Sequence, residues 1–434
     1  MAESWLTSSS LTLLLFNANA NANATTDATT DATTDATNDA TNDATNDGGR
    51  DAQMTQLSDT QQMMRAAAED FAQQVLKPQS AEWDRTAHHP IEVIQRMGET
   101  GFYGLLVPEA FGGSDAGYLA LALVVEAIAA GDGALSTVTS VMNSVVCAPL
   151  VRFGTAAQQA QWLTPLATGA QLGAFCLTEA QAGSDASALA TKAIKTASGW
   201  RLSGSKQFIT NGAIADLAIV FAVTDPTLGK KGLSAFLVPT DLAGFRVAHI
   251  ETKMGQRASA TAQLLFNDIE LADDALLGVP GQGYSIALAN LEGGRIGIAA
   301  QCVGMAQAAF DIAAHYAGER NAFGQPIRSH QAVAFRLADM DTQIEAARQL
   351  VWHAARLKDE GVPALRESAM AKLFASEMAE RVVSDALQTL GGYGYLSDFP
   401  IEQIYRDVRV AQIYEGTSDV QKMIIARSIE ERYP

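Results

Sequence analysis

Apolar positions change their spacing twice along this chain. From about Ser58 to Thr168 they recur with helical spacing, which predicts helices over 61–76, 90–100, 118–130, 134–153 and 156–167. The loops between them carry Gly and Pro, as in Val107-Pro108-Glu109-Ala110-Phe111-Gly112-Gly113. From Gly173 to about Gly278 the apolar runs are short and rich in Val, Ile, Phe and Leu, as at 217–223, 233–238 and 261–266. Turn clusters such as Ala197-Ser198-Gly199 and Asp225-Pro226 separate them, and together these features predict strands of an all-β unit. From Tyr284 helical spacing returns in longer runs. Val333, Leu337, Met340, Ile344, Ala347, Val351 and Ala354 recur at alternating four and three residues, the seam of a bundled helix. Phe374, Met378, Val382, Ala386 and Leu390 form a second stripe, closed by Gly391-Gly392 as a helix stop. The expected order is α, then β, then α, an α+β chain whose last part is a bundle.

The first residues break this pattern. Residues 17–24 alternate Asn and Ala, and 25–47 repeat a four-residue unit built on Asp-Ala-Thr. Such a stretch lacks the apolar residues that offset chain entropy, so disorder is expected there. Leu11–Phe16 is apolar and Ala-Asn-Ala imitates a cleavage site, but the first basic residue is Arg50, so a secretory signal fails on its n-region. The functional polypeptide is expected to begin near Met54. The expected boundaries are an extension over 1–53, a helical domain over 54–171, a β domain over 172–280 and a bundle over 281–434.

Composition narrows the function classes. At 434 residues, 48% of them hydrophobic and 18% charged, the chain is long enough for two to three well-buried domains. The net charge of −18 argues against a nucleic-acid binder. Residues 1–53 hold eight acids against Arg50, which is −7, and leave −11 on the body. Cys147, Cys176 and Cys302 are far apart and odd in number, which fits a reducing compartment without a disulfide framework. No run reaches the ~18 consecutive apolar residues of a membrane helix, so no membrane partner is expected. The six histidines show no metal-ligand spacing, and no Gly-x-Gly-x-x-Gly or Walker loop occurs, so neither a metal nor a Rossmann dinucleotide site has sequence support.

Four spaced motifs remain. Cys176-Leu177-Thr178-Glu179-Ala180-Gln181-Ala182-Gly183-Ser184-Asp185 opens the β region, where small residues and hydroxyls let backbone amides approach a flat polar ligand. A plain turn explains Gly183-Ser184-Asp185 equally well. Phe208-Ile209-Thr210-Asn211-Gly212 sets an aromatic and a hydroxyl at a strand end. Arg320-Asn321-Ala322-Phe323-Gly324 supplies a guanidinium suited to phosphate, or else one that complements a helix terminus. Near the end, Tyr414-Glu415-Gly416-Thr417-Ser418 places a carboxylate before a new helix, with Ser418 and Gln421 read as its capping box. Glu415 reads either as an exposed acid facing the helix dipole or as a carboxylate presented into a cavity.

In this order, over 58–434, these blocks resemble the acyl-CoA dehydrogenase family, nearest its short-chain and related bacterial members. The Leu177–Asp185 block resembles one family signature, and Gln388-Thr389-Leu390-Gly391-Gly392 with the Tyr414–Ser418 block another. The resemblance implies an N-terminal helical domain, a central β-sandwich or barrel domain and a C-terminal four-helix bundle, assembled as a homotetramer. It implies FAD as cofactor, an acyl-CoA substrate, an electron-transferring flavoprotein as partner, and a cytoplasmic location, or the mitochondrial matrix in a eukaryote. Phe175, Leu177, Thr178, Ser184, Phe208, Ile209 and Thr210 match positions around the flavin, with Phe208 where Trp is common. Arg320, Phe323, Gln331, Gln388, Gly391 and Gly392 match those reaching the phosphate and adenosine end from a neighbouring subunit, and Thr417 matches a further flavin contact. Ser184, Glu292, Arg295, Tyr414, Gly416 and Arg427 fall to the acyl-CoA site, whose acyl end is expected near Thr137, Val141, Met142, Gly294 and Tyr414.

Glu415 then matches the family's base, which takes the α-proton while the β-hydrogen leaves as hydride to flavin N5. Some branched-chain and long-chain relatives carry the base immediately before the Arg matched by Arg295. Here that position is Gly294, with Glu292 two residues earlier, so Glu415 has no evident competitor. Two other readings share parts of the pattern. One is a flavin oxidase or monooxygenase acting on a non-CoA substrate, against which the Glu415 block and the lack of an extra C-terminal domain speak. The other is a non-catalytic helical assembly protein that keeps these motifs as relics.

Overall fold

The computed structural model describes residues 56–433, so the expectations of a disordered extension and of a start near Met54 lie outside the described residues. The first layer is helical: α1 Asp59–Phe71, α2 Lys77–Thr86, α3 Ile91–Glu99, α4 Gly117–Gly131, α5 Gly133–Val141, α6 Ala148–Phe153 and α7 Ala156–Ala167. Ser58 with Gln61, and Thr155 with Gln158, form reciprocal capping boxes that fix the starts of α1 and α7. The single helix expected over 61–76 instead runs through a π-helical turn, Ala72–Leu76, into α2; that expected over 134–153 contains another, Met142–Cys147.

The segment Gly133–Phe153 and the long helix α8, Gly283–Glu319, have windows of mean hydropathy 1.5 and 1.4, long and apolar enough to cross a membrane. Those windows are 89% and 72% buried inside the protein, which makes them core helices. Burial on every side is why their apolar residues form no single stripe.

The middle layer contains β1 Gly173–Cys176, β2 Lys192–Lys195, β3 Trp200–Ile209, β4 Leu217–Val223, β5 Leu233–Pro239, β6 Phe245–Ile250, β7 Ala262–Leu271 and β8 Leu276–Leu277. They form one sheet in the order β6-β7-β3-β2-β4-β5-β8, with β1 added parallel to β4. Residues of β4 alternate between two cores. Leu217, Ile219 and Phe221 join the helical core, whereas Ala218, Val220 and Ala222 join a core inside the β domain. Trp200 of β3 and Phe236 of β5 lie three strand spacings apart in a flat sheet, each about 4.8 Å. Their rings meet at 5.4 Å, so the sheet curls over its own core.

The last layer holds α8, the hairpin of β9 Asn321–Ala322 and β10 Gln325–Pro326, then α9 Gln331–Asp359, α10 Leu365–Leu390, α11 Ile401–Val408 and α12 Ser418–Arg432. Helices α8, α9 and α10 pack on one another, α12 lies on α10, and α4 packs against α8. Met340, Ile344, Ala347, Val351 and Ala354 of the expected α9 seam are fully buried, as are Met378, Val382 and Ala386 of the α10 stripe. Gly391 stops α10 with φ +62°, a conformation that favours glycine.

Candidate active site

Glu415 sits on the short bridge between the end of α11 and the start of α12. Its φ is +51° and that of Gly416 is +90°, two successive residues in left-handed backbone. For a residue with a Cβ that conformation costs about 1–2 kcal/mol, so the turn is held by its surroundings. The expected capping box is corrected here. Thr417, one residue earlier than Ser418, is the N-cap, and its hydroxyl accepts from Val420 N–H at 3.3 Å. Gln421 is thereby released from capping, and its amide donates to the carbonyls of Glu415 at 3.2 Å and Gly416 at 2.8 Å. The turn therefore depends on α12, and the cap lies one residue before the position its sequence pattern predicts.

The carboxylate of Glu415 enters a cavity of about 220 Å³ lined from all three layers. Its Oε2 is buried without a hydrogen-bond partner. Burial pushes its pKa up to about 7, with Arg295 and Lys372 opposing the rise. Arg295, buried on α8, leaves Nε and Nη1 unpartnered. Burial lowers its pKa, while Glu415 and Glu292 work the other way. Next to it, Gly294 lies directly under Glu415: a Cβ added there would collide with Oε2 and stand 2.8 Å from the carboxyl carbon. The bare helix position and the carboxylate fit only together.

The β domain supplies the opposite wall, with Phe175, Leu177, Thr178, Ser184, Phe208, Ile209 and Thr210 all lining the cavity. Phe208 is an outlier in two ways. Its φ is +58°, and the register of β3 against β7 slips between Lys206 and Ile209. That bulge turns the Phe208 ring outward, 62% exposed at the cavity, where an uncovered flat aromatic face suits a flat ring. Lys206 on the same strand is fully buried and donates to Leu177 O at 3.0 Å and to Glu179 Oε1 at 2.7 Å. Burial opposes the Glu179 carboxylate, but Lys206 and the N–H of Ala190 hold its pKa below the usual range. This pair anchors the Leu177–Thr178 segment. Lys206→Met strands the Glu179 charge and is expected to cost about 3–5 kcal/mol in urea unfolding.

The third wall is the acyl-side lining expected from the helices. Thr137 and Val141 line the cavity, joined by Val145, Leu288, Leu291, Ile298 and Tyr414. Met142 does not, because its sulfur turns away to accept from Gly173 N–H at 3.3 Å. Behind Tyr414 runs a polar network that no local motif announced. The Tyr414 hydroxyl donates to Gln301 Oε1 and accepts from Gln256 at 3.2 Å, and Thr137 donates to Gln256 Oε1 at 2.7 Å. Gln256 N–H in turn donates to Asp407, whose carboxyl burial and nearby Asp132 push up to about 7.

The remaining candidates lie elsewhere. Arg320, Gly391 and Gly392 line a separate groove of about 460 Å³ with Tyr316 and Tyr393, and none of the described residues lines both this groove and the cavity. Phe323 is 97% exposed, and Gln331, Gln388 and Arg427 are exposed on their helices. Thr417 serves as the cap, and Glu292 pairs with Lys358 at 3.0 Å. Among the described residues no group of three His, Cys, Asp or Glu could hold a metal ion.

Sequence models of the acyl-CoA dehydrogenase N-terminal, middle and C-terminal domains match residues 58–170, 174–269 and 281–430. The chain is 44% identical over 381 residues to the mitochondrial short-chain specific acyl-CoA dehydrogenase of Bos taurus, covering 88% of this chain and 92% of that protein. The butyryl-CoA dehydrogenase of Megasphaera elsdenii superposes with a TM-score of 0.85 at 41% identity, over 86% of this chain and 99% of that one. A chain solved in work on the electron transferring flavoprotein of Acidaminococcus fermentans superposes with a TM-score of 0.85 at 44% identity, over 86% and 99%. With three domain models matched in order and identities of this size over nearly the whole body, the chain belongs to the acyl-CoA dehydrogenase family.

Proposed function

We propose that this protein dehydrogenates a short- to medium-chain, or small branched, acyl-CoA thioester between Cα and Cβ, giving the trans-2-enoyl-CoA. The observation that carries the reading is the buried Oε2 of Glu415, without a hydrogen-bond partner among the described residues, on a carboxyl raised to about 7 that lines one cavity with the exposed Phe208 ring. The α-proton of a thioester is a weak acid, so a base must be desolvated to accept it near neutral pH. Glu415 is in that state. Its Oε2, free of protein partners, is the atom that takes the proton. Arg295 and Lys372 keep a usable fraction ionised by opposing the desolvation.

The residues present fit FAD. The outward Phe208 ring and the hydroxyl-bearing Thr178, Ser184 and Thr210 suit a flat polar ring system, and Arg320 in its groove suits a pyrophosphate. When bound, FAD supplies the acceptor for the β-hydrogen, which leaves as hydride. The chain's own residues dry the site: Val141, Val145, Leu288 and Ile298 exclude water around the acyl chain. Arg320, in a groove separate from the cavity, would hold the pyrophosphate end of a FAD bound by a neighbouring subunit of a homotetramer. Electrons then pass to an electron-transferring flavoprotein. The chain works in the cytoplasm, or in the mitochondrial matrix of a eukaryote, as the location of the mammalian relatives supports.

Purified protein is expected to be yellow and to bleach anaerobically with acyl-CoA, with a panel from butyryl to dodecanoyl fixing the preferred length. A colourless protein that cannot be reconstituted with FAD overturns the reading. The reaction also carries a pH signature. Only ionised Glu415 accepts a proton, so the rate of bleaching rises with pH through about 7 and levels above it. Stopped-flow rates across this range check that limb.

A further inference from the structure

The turn that carries Glu415 is gripped from two helices, and one grip is a buried cation. Lys372 lies in the N-terminal third of α10 and is 0% exposed. Its ammonium donates to the Gly416 carbonyl at 2.7 Å, the same oxygen that receives the Gln421 amide from α12 at 2.8 Å. An ammonium is a poor choice for holding a carbonyl inside a protein, because burial penalises the charge and its remaining donors need partners. A neutral donor would close the same contact. Glu377, the acid of its own helix that acts on it, is engaged by Lys422 at 3.4 Å.

We propose that Lys372 is a positioning residue for the catalytic base: its clamp on Gly416 O fixes the left-handed turn that aims Glu415, and its charge faces the carboxylate. The proposal rests on the reading of Glu415 as the base. The charged and titratable groups around the pair come from α8 and α10, with Tyr414 beside Glu415 on the bridge itself. Arg295 and Lys372 face Glu415, while Cys302, Glu415, Arg295 and Glu377 act on Lys372. Burial lowers the Lys372 pKa to about 8, so it is cationic where the base works. With both φ values positive, Glu415 and Gly416 turn their carbonyls toward α10 and α12, and release of either grip lets the turn relax and swing the carboxylate.

The test uses the flavin-loaded protein and four variants, Lys372→Gln, Lys372→Met, Lys372→Arg and Glu415→Gln. Two readouts are followed against pH: flavin bleaching by butyryl-CoA, and the infrared carbonyl band of protonated Glu415, assigned by its loss in Glu415→Gln and recorded without substrate. Removing a positive charge raises a neighbouring carboxylate's pKa, so Lys372→Gln moves both titrations up by about one unit. At pH 7 its bleaching slows about fivefold, while the plateau at high pH is largely kept because the amide still donates to Gly416 O. Lys372→Met loses the plateau as well, and Lys372→Arg keeps the wild-type limb. If Lys372→Met does not fold, the Gln and Arg variants carry the same decision. A folded Lys372→Gln with both titrations unmoved overturns the proposal and leaves the base reading intact. Wild-type bleaching by Glu415→Gln overturns the base reading, and the proposal with it.

Discussion

Replacing Glu415 by Gln is expected to slow flavin reduction by acyl-CoA by at least about 10²–10⁴, while the protein stays folded and yellow. The amide matches the carboxylate in shape and keeps the turn, which is held through backbone carbonyls by Lys372 and Gln421. What it loses is an open lone pair of raised basicity at the cavity. The same substitution has an opposite effect on stability. In the folded protein the Glu415 pKa is raised from 4.5 to about 7, so the folded state holds its proton more tightly than the unfolded one. Stability is therefore lost as pH rises from about 4.5 to 7 and stays lost above. Glu415→Gln removes that penalty. Its thermal midpoint is expected to exceed that of the wild type at pH 8, and the two are expected to converge below pH 4.5. Slower chemistry with higher stability is the combination that separates a functional carboxylate from a structural one.

Periodicity revealed the elements and, through spaced motifs, one wall of the site. The strand expected at 217–223 is β4 residue for residue, because a run buried on both faces is unbroken by polar positions. The helix expected over 118–130 is α4 with one residue added at each end. Motif residues 175, 177, 178, 184 and 208–210 meet in one cavity because a loop and a strand end converge there. The features that periodicity missed are those with no local signature. Met142, next to Val141 on its helix, is drawn from the cavity by a contact that no local pattern announces, its sulfur accepting from Gly173 N–H at the start of β1. The bulge at Phe208 depends on pairing with β7, more than fifty residues later in the chain. Gln256 and Gln301 are brought to Tyr414, and Asp407 to Gln256, by three separate segments. Lys372 did leave a trace: with Ser368, Ala375, Ala379 and Val383 it shares the buried stripe of α10, and a cation on such a stripe needs a reason.

Gly294→Ala is expected to slow the reaction by about 10²-fold, although it adds a single methyl group to a helix and raises helix propensity. A Cβ at this position would collide with Glu415 Oε2 and stand 3.0 Å from Oε1, so the carboxylate must move. It cannot retreat freely, because its backbone is pinned in the left-handed turn. The displacement falls on the reacting oxygen, and a misplacement near 1 Å is enough to cost that factor. Substrate binding should change far less, so the loss belongs to the rate of bleaching at saturation. The same contact predicts that the two positions are alternatives for one carboxylate. Glu415→Gly leaves a glycine where φ is +51°, which a glycine adopts without strain, and clears the space beside residue 294. Adding Gly294→Glu to that variant sets a carboxylate on α8 immediately before Arg295, facing the same volume from the helix side. The double variant is expected to bleach faster than Glu415→Gly alone, whereas Gly294→Glu with Glu415 retained crowds two acids into one site and stays slow. Full activity in Gly294→Ala would show that Glu415 works from a position other than the one the turn gives it.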